Sequence, residues 1–398
     1  MKACVTNLLY KANDVWFLGI LAALALFFSH CLQVSAESSE LKIVVENYSD
    51  SDVVHFPVVL LRGRVDGVEN GTIIVEDLSS SLDSRITRSE VYRGRFKIPV
   101  ELTSGSNRLS IATGDARIDF TLIYRKSANR RFVRLIFFSD SSGSDVVDTP
   151  KEWLIGRDAA FNASGDYVRK MRTAARLWQT ATAERLFDAG YGRRTFALET
   201  DDNGQVVVWK QRGKKTKEEY CALSELERFH EVYHEVISGP AYSKDACYFV
   251  LTSFGGQGEE FGENQGRVAL GADNIAMLDS SSLFSWPSSL SEAIVFFQDE
   301  TGISDVYAKD SAYRNVRWAL TSSALGAGLH ELGHAFGLSH SDDPNDFMSR
   351  GFDRFNRIFT MYEPSSSISQ GGIFEDDDIV EWTASTAPKL IRSLWIEE

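Results

Sequence analysis

Three of the chain's seven histidines fall within eleven residues: His330-Glu331-Leu332-Gly333-His334-Ala335-Phe336-Gly337-Leu338-Ser339-His340. That block leaves few ways to fold. On a helix, His330 and His334 stand one turn apart on one face, so both imidazoles can reach a single tetrahedral metal. Gly337 stops the helix and admits the backbone conformation of a sharp turn, which would bring His340 round as a third ligand. Glu331, beside the first ligand, can act on a water in the open fourth position without being a ligand itself. An open position is what separates a catalytic zinc site from a closed structural one.

A shorter match occurs upstream, His230-Glu231-Val232-Tyr233-His234. It has no glycine turn and no histidine before His330, so a third ligand would have to be a distant carboxylate such as Glu259 or Glu260. Its setting, Glu225 to Glu235, reads as a charged, solvated helix. The longer block is therefore the expected metal site, with a thermolysin-like site at His230 and His234 as the alternative.

With 43% hydrophobic and 25% charged residues the chain has the composition of a packed globular protein, and a net charge of −14 argues against binding nucleic acid through its phosphates. Val15 to Phe28 is an apolar run preceded by Lys2 and Lys11 and followed by Val34-Ser35-Ala36, the pattern of a signal peptide cleaved after Ala36. The run is short for a membrane span, so the expected location is the secretory lumen or outside the cell, with no stable membrane insertion; a signal-anchored form is the alternative. Cys221 and Cys247 could close one disulfide in that compartment. Asn47, Asn70 and Asn162 begin acceptor sequons for glycans.

The expected organisation is α+β: a signal peptide over 1–36, a β-sandwich over 37–127 and a catalytic domain with a mixed sheet over 128–398. Pro57 to Val65, Thr72 to Glu76, Phe96 to Leu102, Leu109 to Ala112 and Ile118 to Tyr124 read as strands, and their alternation suggests an immunoglobulin-like sandwich. Past a boundary near Ser127 come an apolar strand from Phe132 to Phe138 and a helix carrying Val168, Met171, Ala175, Trp178 and Thr182, stopped by Gly190. A hairpin is expected about Asp202-Asn203-Gly204, then a strand from Tyr248 to Ser253 and a helix from about Asp310 to Phe336.

The histidine block resembles the signature of the metzincin zinc metallopeptidases, whose helix and glycine turn are followed by a methionine-bearing turn under the metal. Met348, in Asp346-Phe347-Met348-Ser349, occupies that place. Arg172 to Phe196, Leu283 to Pro287 and Phe347 to Asn356 resemble a less characterised group of zinc metallopeptidases. The resemblance implies one catalytic Zn2+ on His330, His334 and His340, Glu331 as general base, and a peptide or protein substrate, cleaved as an endopeptidase would. Two departures stand out. Arg350 replaces the tyrosine that some metzincins carry two residues after the methionine, and no cysteine lies between Ser35 and Cys221 to supply thiolate latency. A non-catalytic extracellular binding protein on a peptidase scaffold is the remaining alternative.

Overall fold

The computed structural model describes residues 41–79, 85–145, 147, 166–255, 267–374 and 378–397, of which Lys42–Glu398 belong to one compact unit. The signal segment, Asn162, Glu259 and Glu260 lie outside the described residues.

Eight strands come first: β1 (Lys42–Val45), β2 (Asp52–Val54), β3 (Val58–Asp66), β4 (Asn70–Asp77), β5 (Ile86–Tyr92), β6 (Arg95–Glu101), β7 (Gly105–Thr113) and β8 (Ala116–Tyr124). Hydrogen bonding runs unbroken through all of them in the order β1-β3-β6-β5-β4-β7-β8-β2, antiparallel except for β2 against β8. This single sheet curls round its own core, for Ile43 of β1, Ile98 of β6, Ile73 of β4 and Leu122 of β8 share one buried cluster. The all-β character expected here is present; two separate immunoglobulin-like sheets are not. β5 was hidden in the sequence because Thr87, Arg88, Ser89 and Glu90 break the apolar alternation along an exposed strand.

Alternation in β6 implied one wet face, yet Lys97 and Pro99 are buried as well as Phe96 and Ile98. The outer face is covered by the second half of the chain, where the Lys97 ammonium donates to the Arg357 carbonyl at 2.8 Å. β3 behaves alike: Val59 and Leu61 enter the sheet's core while Leu60 joins the core of the second half.

The second sheet contains β9 (Phe132–Ser139), β10 (Val208–Arg212), β11 (Ala246–Thr252), β12 (Ala269–Ala272) and β13 (Ile275–Asp279), in the order β10-β9-β11-β13-β12. The expected boundary near Ser127 falls in the connection from β8 to β9, where the chain changes sheets. β10, β9, β11 and β13 are mutually parallel, and only the edge strand β12 is antiparallel. Strands β9 and β11 are buried almost end to end, as a parallel sheet covered on both faces requires. Helices α1 (Asp166–Asp188) and α3 (Arg317–Ala335) share the core on one face, and α2 (Glu225–Ile237) packs on the other. This half is therefore a layered structure of helices on a mostly parallel mixed sheet, with the mixed sheet and the histidine-bearing helix that were expected.

Helix α1 ties the halves together. Trp178 faces the parallel sheet and donates from its indole to the Leu325 carbonyl on α3 at 2.7 Å, while Ala183 enters the core of the first sheet. Glu184, 1% exposed, accepts from the Tyr48 hydroxyl at 2.7 Å, Asn47 at 2.9 Å and Arg193 at 2.8 Å. A carboxylate buried with this many donors is compensated for its lost water.

Three local expectations change. The Asp202-Asn203-Gly204 turn forms, with an antiparallel bridge from Thr200 to Val206, but the chain then pairs in parallel with β9 instead of completing a hairpin. Helix α3 starts at Arg317, because Ala312, Tyr313 and Asn315 have positive φ and cannot continue a helix. Cys221 and Cys247 are both buried and do not pair with each other. Cys247 faces the α1 side of the parallel sheet and Cys221 the α2 side, so the sheet itself separates them.

Candidate metal centre

Helix α3 ends as its sequence requires. Gly337 has φ of 95°, the Leu338 amide donates to the Gly333 carbonyl at 3.0 Å and the Gly337 amide to that of His334 at 2.9 Å. This paired closure through a left-handed residue reverses the chain within three positions. His340 returns to face the helix, its Nε2 3.1 Å from Nε2 of His334, which is 3.2 Å from Nε2 of His330.

Main-chain carbonyls decide which ring atoms converge. Nδ1 of His330 lies 2.6 Å from the Phe347 oxygen, and Nδ1 of His334 lies 2.8 Å from the Leu338 oxygen. A carbonyl only accepts, so each Nδ1 carries the proton and each Nε2 presents a lone pair. Burial holds His330 down to about 4 and lowers His334, keeping both rings neutral. Lone pairs facing one another at this distance repel unless a cation lies between them. The two Nε2 separations match the edge of a tetrahedron of nitrogens about zinc, about 3.3 Å. His330, His334 and His340 form a group able to hold a metal ion, and the donor set fits zinc.

Glu331 is 7% exposed, and burial, with the charge of Glu225 added, pushes its carboxyl up to about 8. Its carboxylate borders a cavity of about 510 Å³ that His330, His340 and Met348 also line. Met348 is fully buried beneath α3; a Cβ on Gly333 would stand 2.4 Å from its sulfur, so only glycine lets that side chain in. Sequence reasoning missed the anchor of this turn. Asp346, fully buried, accepts from the Met348 amide at 2.8 Å and the Thr386 hydroxyl at 2.6 Å, and also bonds the Thr383 hydroxyl. It thereby sets the Phe347 carbonyl that orients His330. Nothing local marks Asp346 as an anchor, because its hydroxyl partners, Thr383 and Thr386, come from nearly forty positions away.

The upstream match has none of this support. His230 and His234 are exposed on α2, and Glu231 pairs with Lys215 at 2.9 Å. Among the described residues only the downstream histidines form a metal-binding group.

Comparison with known proteins follows the same boundaries. A family model, Metallopep, described as "Putative peptidase family", matches residues 42–390. A protein of Schizosaccharomyces pombe described as a "putative zinc metalloproteinase" is 28% identical over 353 residues, covering 81% of this chain and 54% of that one. One of Saccharomyces cerevisiae with the same description is 25% identical over 356 residues, covering 80% and 49%. The chain thus spans about half the length of the curated relatives it matches. Among solved structures, OgpA from Akkermansia muciniphila aligns with a TM-score of 0.40 at 15% identity over 68% of this chain and 62% of that one, too distant to bear on function. The family match takes in the curled sheet, the parallel sheet and the histidine cluster alike, and by it the chain belongs to the Metallopep family.

Proposed function

We propose that this chain is a zinc-dependent peptidase of metzincin type, acting as an endopeptidase, in which His330, His334 and His340 hold the metal and Glu331 is the general base. The observation that carries the reading is the convergence of lone pairs fixed by carbonyls at Nδ1, next to a buried carboxylate that opens on a cavity. Membership of a peptidase family and the names of the two yeast relatives support it.

Zinc held there supplies Lewis acidity toward a peptide carbonyl and toward water. Glu331 does the proton work. One of its oxygens takes a proton from the water that attacks the carbonyl, and the carboxylic acid so formed gives that proton to the departing amine. Burial suits both halves of the task, since it makes the carboxylate basic enough to take the proton and leaves the acid able to return it. Met348 and Asp346 act through position: the first fills the space under the ligands, the second holds the turn that orients His330.

The test is Glu331→Gln, which keeps size and spares the histidines. It should retain zinc and thermal stability while hydrolysis of a mixed peptide library disappears. Cleavage equal to wild type would remove Glu331 from its role and with it the mechanism.

The reading extends to location. Residues up to Ala36 are a signal peptide, and secreted material should begin at Glu37 by N-terminal sequencing; an intact Met1 on a membrane-bound product would overturn this. No helix among the described residues is long and apolar enough to cross a membrane. Of the sequons, Asn70 is exposed at the start of β4, whereas the Asn47 amide is buried and bonds the Leu60 carbonyl and Glu184, so a glycan there is incompatible with the fold.

A further inference from the structure

The cavity beside the histidines carries more charge than proton transfer needs. Arg267 is saturated, bonding Asp310 at 2.8 and 2.9 Å and lying 3.3 Å from Asp279. Among the described residues Arg350 is used along one edge only. Its Nε and Nη2 donate to Asp353 at 2.9 and 3.0 Å, and its guanidinium lies 4.8 Å from the centre of the Phe352 ring. The side chain is nevertheless 63% exposed, while that of Asp353 is 10% exposed. A side-on pair of this kind consumes the Nε edge and leaves the end-on fork, one N–H on each Nη, free for a second planar acceptor. Lys309 lines the same cavity, exposed and with no carboxylate on it among the described residues.

Distance ties this fork to the bond being cut. Phe352 neighbours both groups, its ring 5.0 Å from the His330 ring and 4.8 Å from the guanidinium, so the two lie no farther apart than the sum of those distances. An extended peptide advances about 3.3–3.6 Å per residue, so a group held by Arg350 belongs to a residue within about three positions of the reacting carbonyl. Arg350 and Lys309 offer donors and no acceptors, and two cationic donors with a planar fork select a carboxylate.

We propose that Arg350, positioned by Asp353 and Phe352 and assisted by Lys309, is a specificity-determining residue that binds a carboxylate of the peptide substrate close to the scissile bond. This rests on the peptidase reading for the nature of the substrate, but it is tested by binding. The carboxylate has two sources, an acidic side chain or the peptide's own C-terminus, and Arg350 presents the same fork to either.

The experiment uses the full chain carrying Glu331→Gln, so that peptides survive, and three fluorescent decapeptide pools of mixed sequence. The first has Glu at the central positions and an amidated end; the second has Gln there and the same end; the third has Gln and a free C-terminal carboxylate. Anisotropy titration should show the first or the third binding roughly tenfold tighter than the second, as expected for a charged hydrogen-bonded pair open to water. Which of the two gains identifies the source. Adding Arg350→Gln should erase the preference, Arg350→Lys should keep part of it, and Lys309→Ala should reduce it less. Asp353→Asn should weaken the preference with the arginine still present, raising KM for acidic peptides more than it lowers kcat in the otherwise wild-type chain. Thermal unfolding of each variant separates lost binding from lost fold. Equal binding of all three pools, no binding of any, or a preference that survives Arg350→Gln overturns the proposal. Cleavage by wild type without a carboxylate preference would sink this inference and leave the peptidase reading standing; the preference without any cleavage would do the reverse.

Discussion

The chain writes His-Glu-x-x-His twice, on α2 and on α3, and the copies share little beyond the two histidines and the glutamate. On α3 the residue before the second histidine is Gly333, which admits the Met348 sulfur; on α2 it is Tyr233. After the second histidine α3 closes through Gly337 at φ of 95°, while α2 ends on Ser238 in the right-handed region at φ of −98°. On α3 His330 is buried and His334 half-buried, whereas α2 leaves both histidines exposed. Two imidazoles a turn apart are common to any such helix. A metal centre needs in addition a chain reversal that returns a third ligand and fixed acceptors that turn the rings.

The largest difference should be in metal content. The purified chain should bind about one zinc per molecule, His334→Ala should bring this near zero, and His234→Ala should leave it unchanged, measured by elemental analysis. Because a ligand that binds only the folded state raises stability, zinc should raise the Tm of wild type and of the His234 variant but not of the His334 variant. Metal lost from the His234 variant alone would invert the comparison.

Next comes catalysis. Glu331→Gln should lower peptide hydrolysis by roughly 10² to 10⁴, the span of general-base contributions. The matching Glu231→Gln removes only the exposed pair with Lys215 and should change neither rate nor unfolding temperature. Equal losses in both variants would mean that the assay reports folding.

The supporting glycines should give smaller effects, read by denaturant unfolding. Gly333→Ala drives a methyl into the Met348 sulfur and should destabilise by about 1–3 kcal/mol, the usual cost of overpacking. Met348→Ala in the same chain should relieve part of that clash, because the contact is between those two side chains. Of the two glycines the smaller change is expected for Gly337→Ala, where a left-handed backbone costs an L-residue about 1–2 kcal/mol and nothing lies within 4 Å of the added Cβ. Ser238→Ala on α2 should be near neutral, since right-handed φ suits alanine.

Much of the site was legible in the sequence because its logic is local. His330 and His334 are joined by one helical turn, and Gly337 and Leu338 close that turn with bonds spanning five residues or fewer. Strands such as β8 were legible for a similar reason, since buried Phe120 and Leu122 alternate with less buried neighbours. Alternation failed where both faces are covered, as in β6, and where neither is apolar, as in β5. The hairpin expected about Asp202-Asn203-Gly204 forms only next to its turn, because a turn signal fixes the reversal of the chain and not the strand with which its exit pairs.

What the covalent order determined by itself is therefore the helix carrying two histidines and a carboxylate, its stop, and the alternating strands; each follows from backbone geometry repeated over a few residues. Only the tertiary structure decided the rest. It placed Cys221 and Cys247 on opposite sides of a sheet, covered the outer face of β6, and brought Asp346 to Thr383 and Thr386 so that the Phe347 carbonyl meets His330. Among the described residues it also left one edge of Arg350 without a partner, in the cavity that Glu331 lines. These are contacts between segments far apart along the chain, set by which surfaces must be buried together, and no periodicity within either segment encodes its partner.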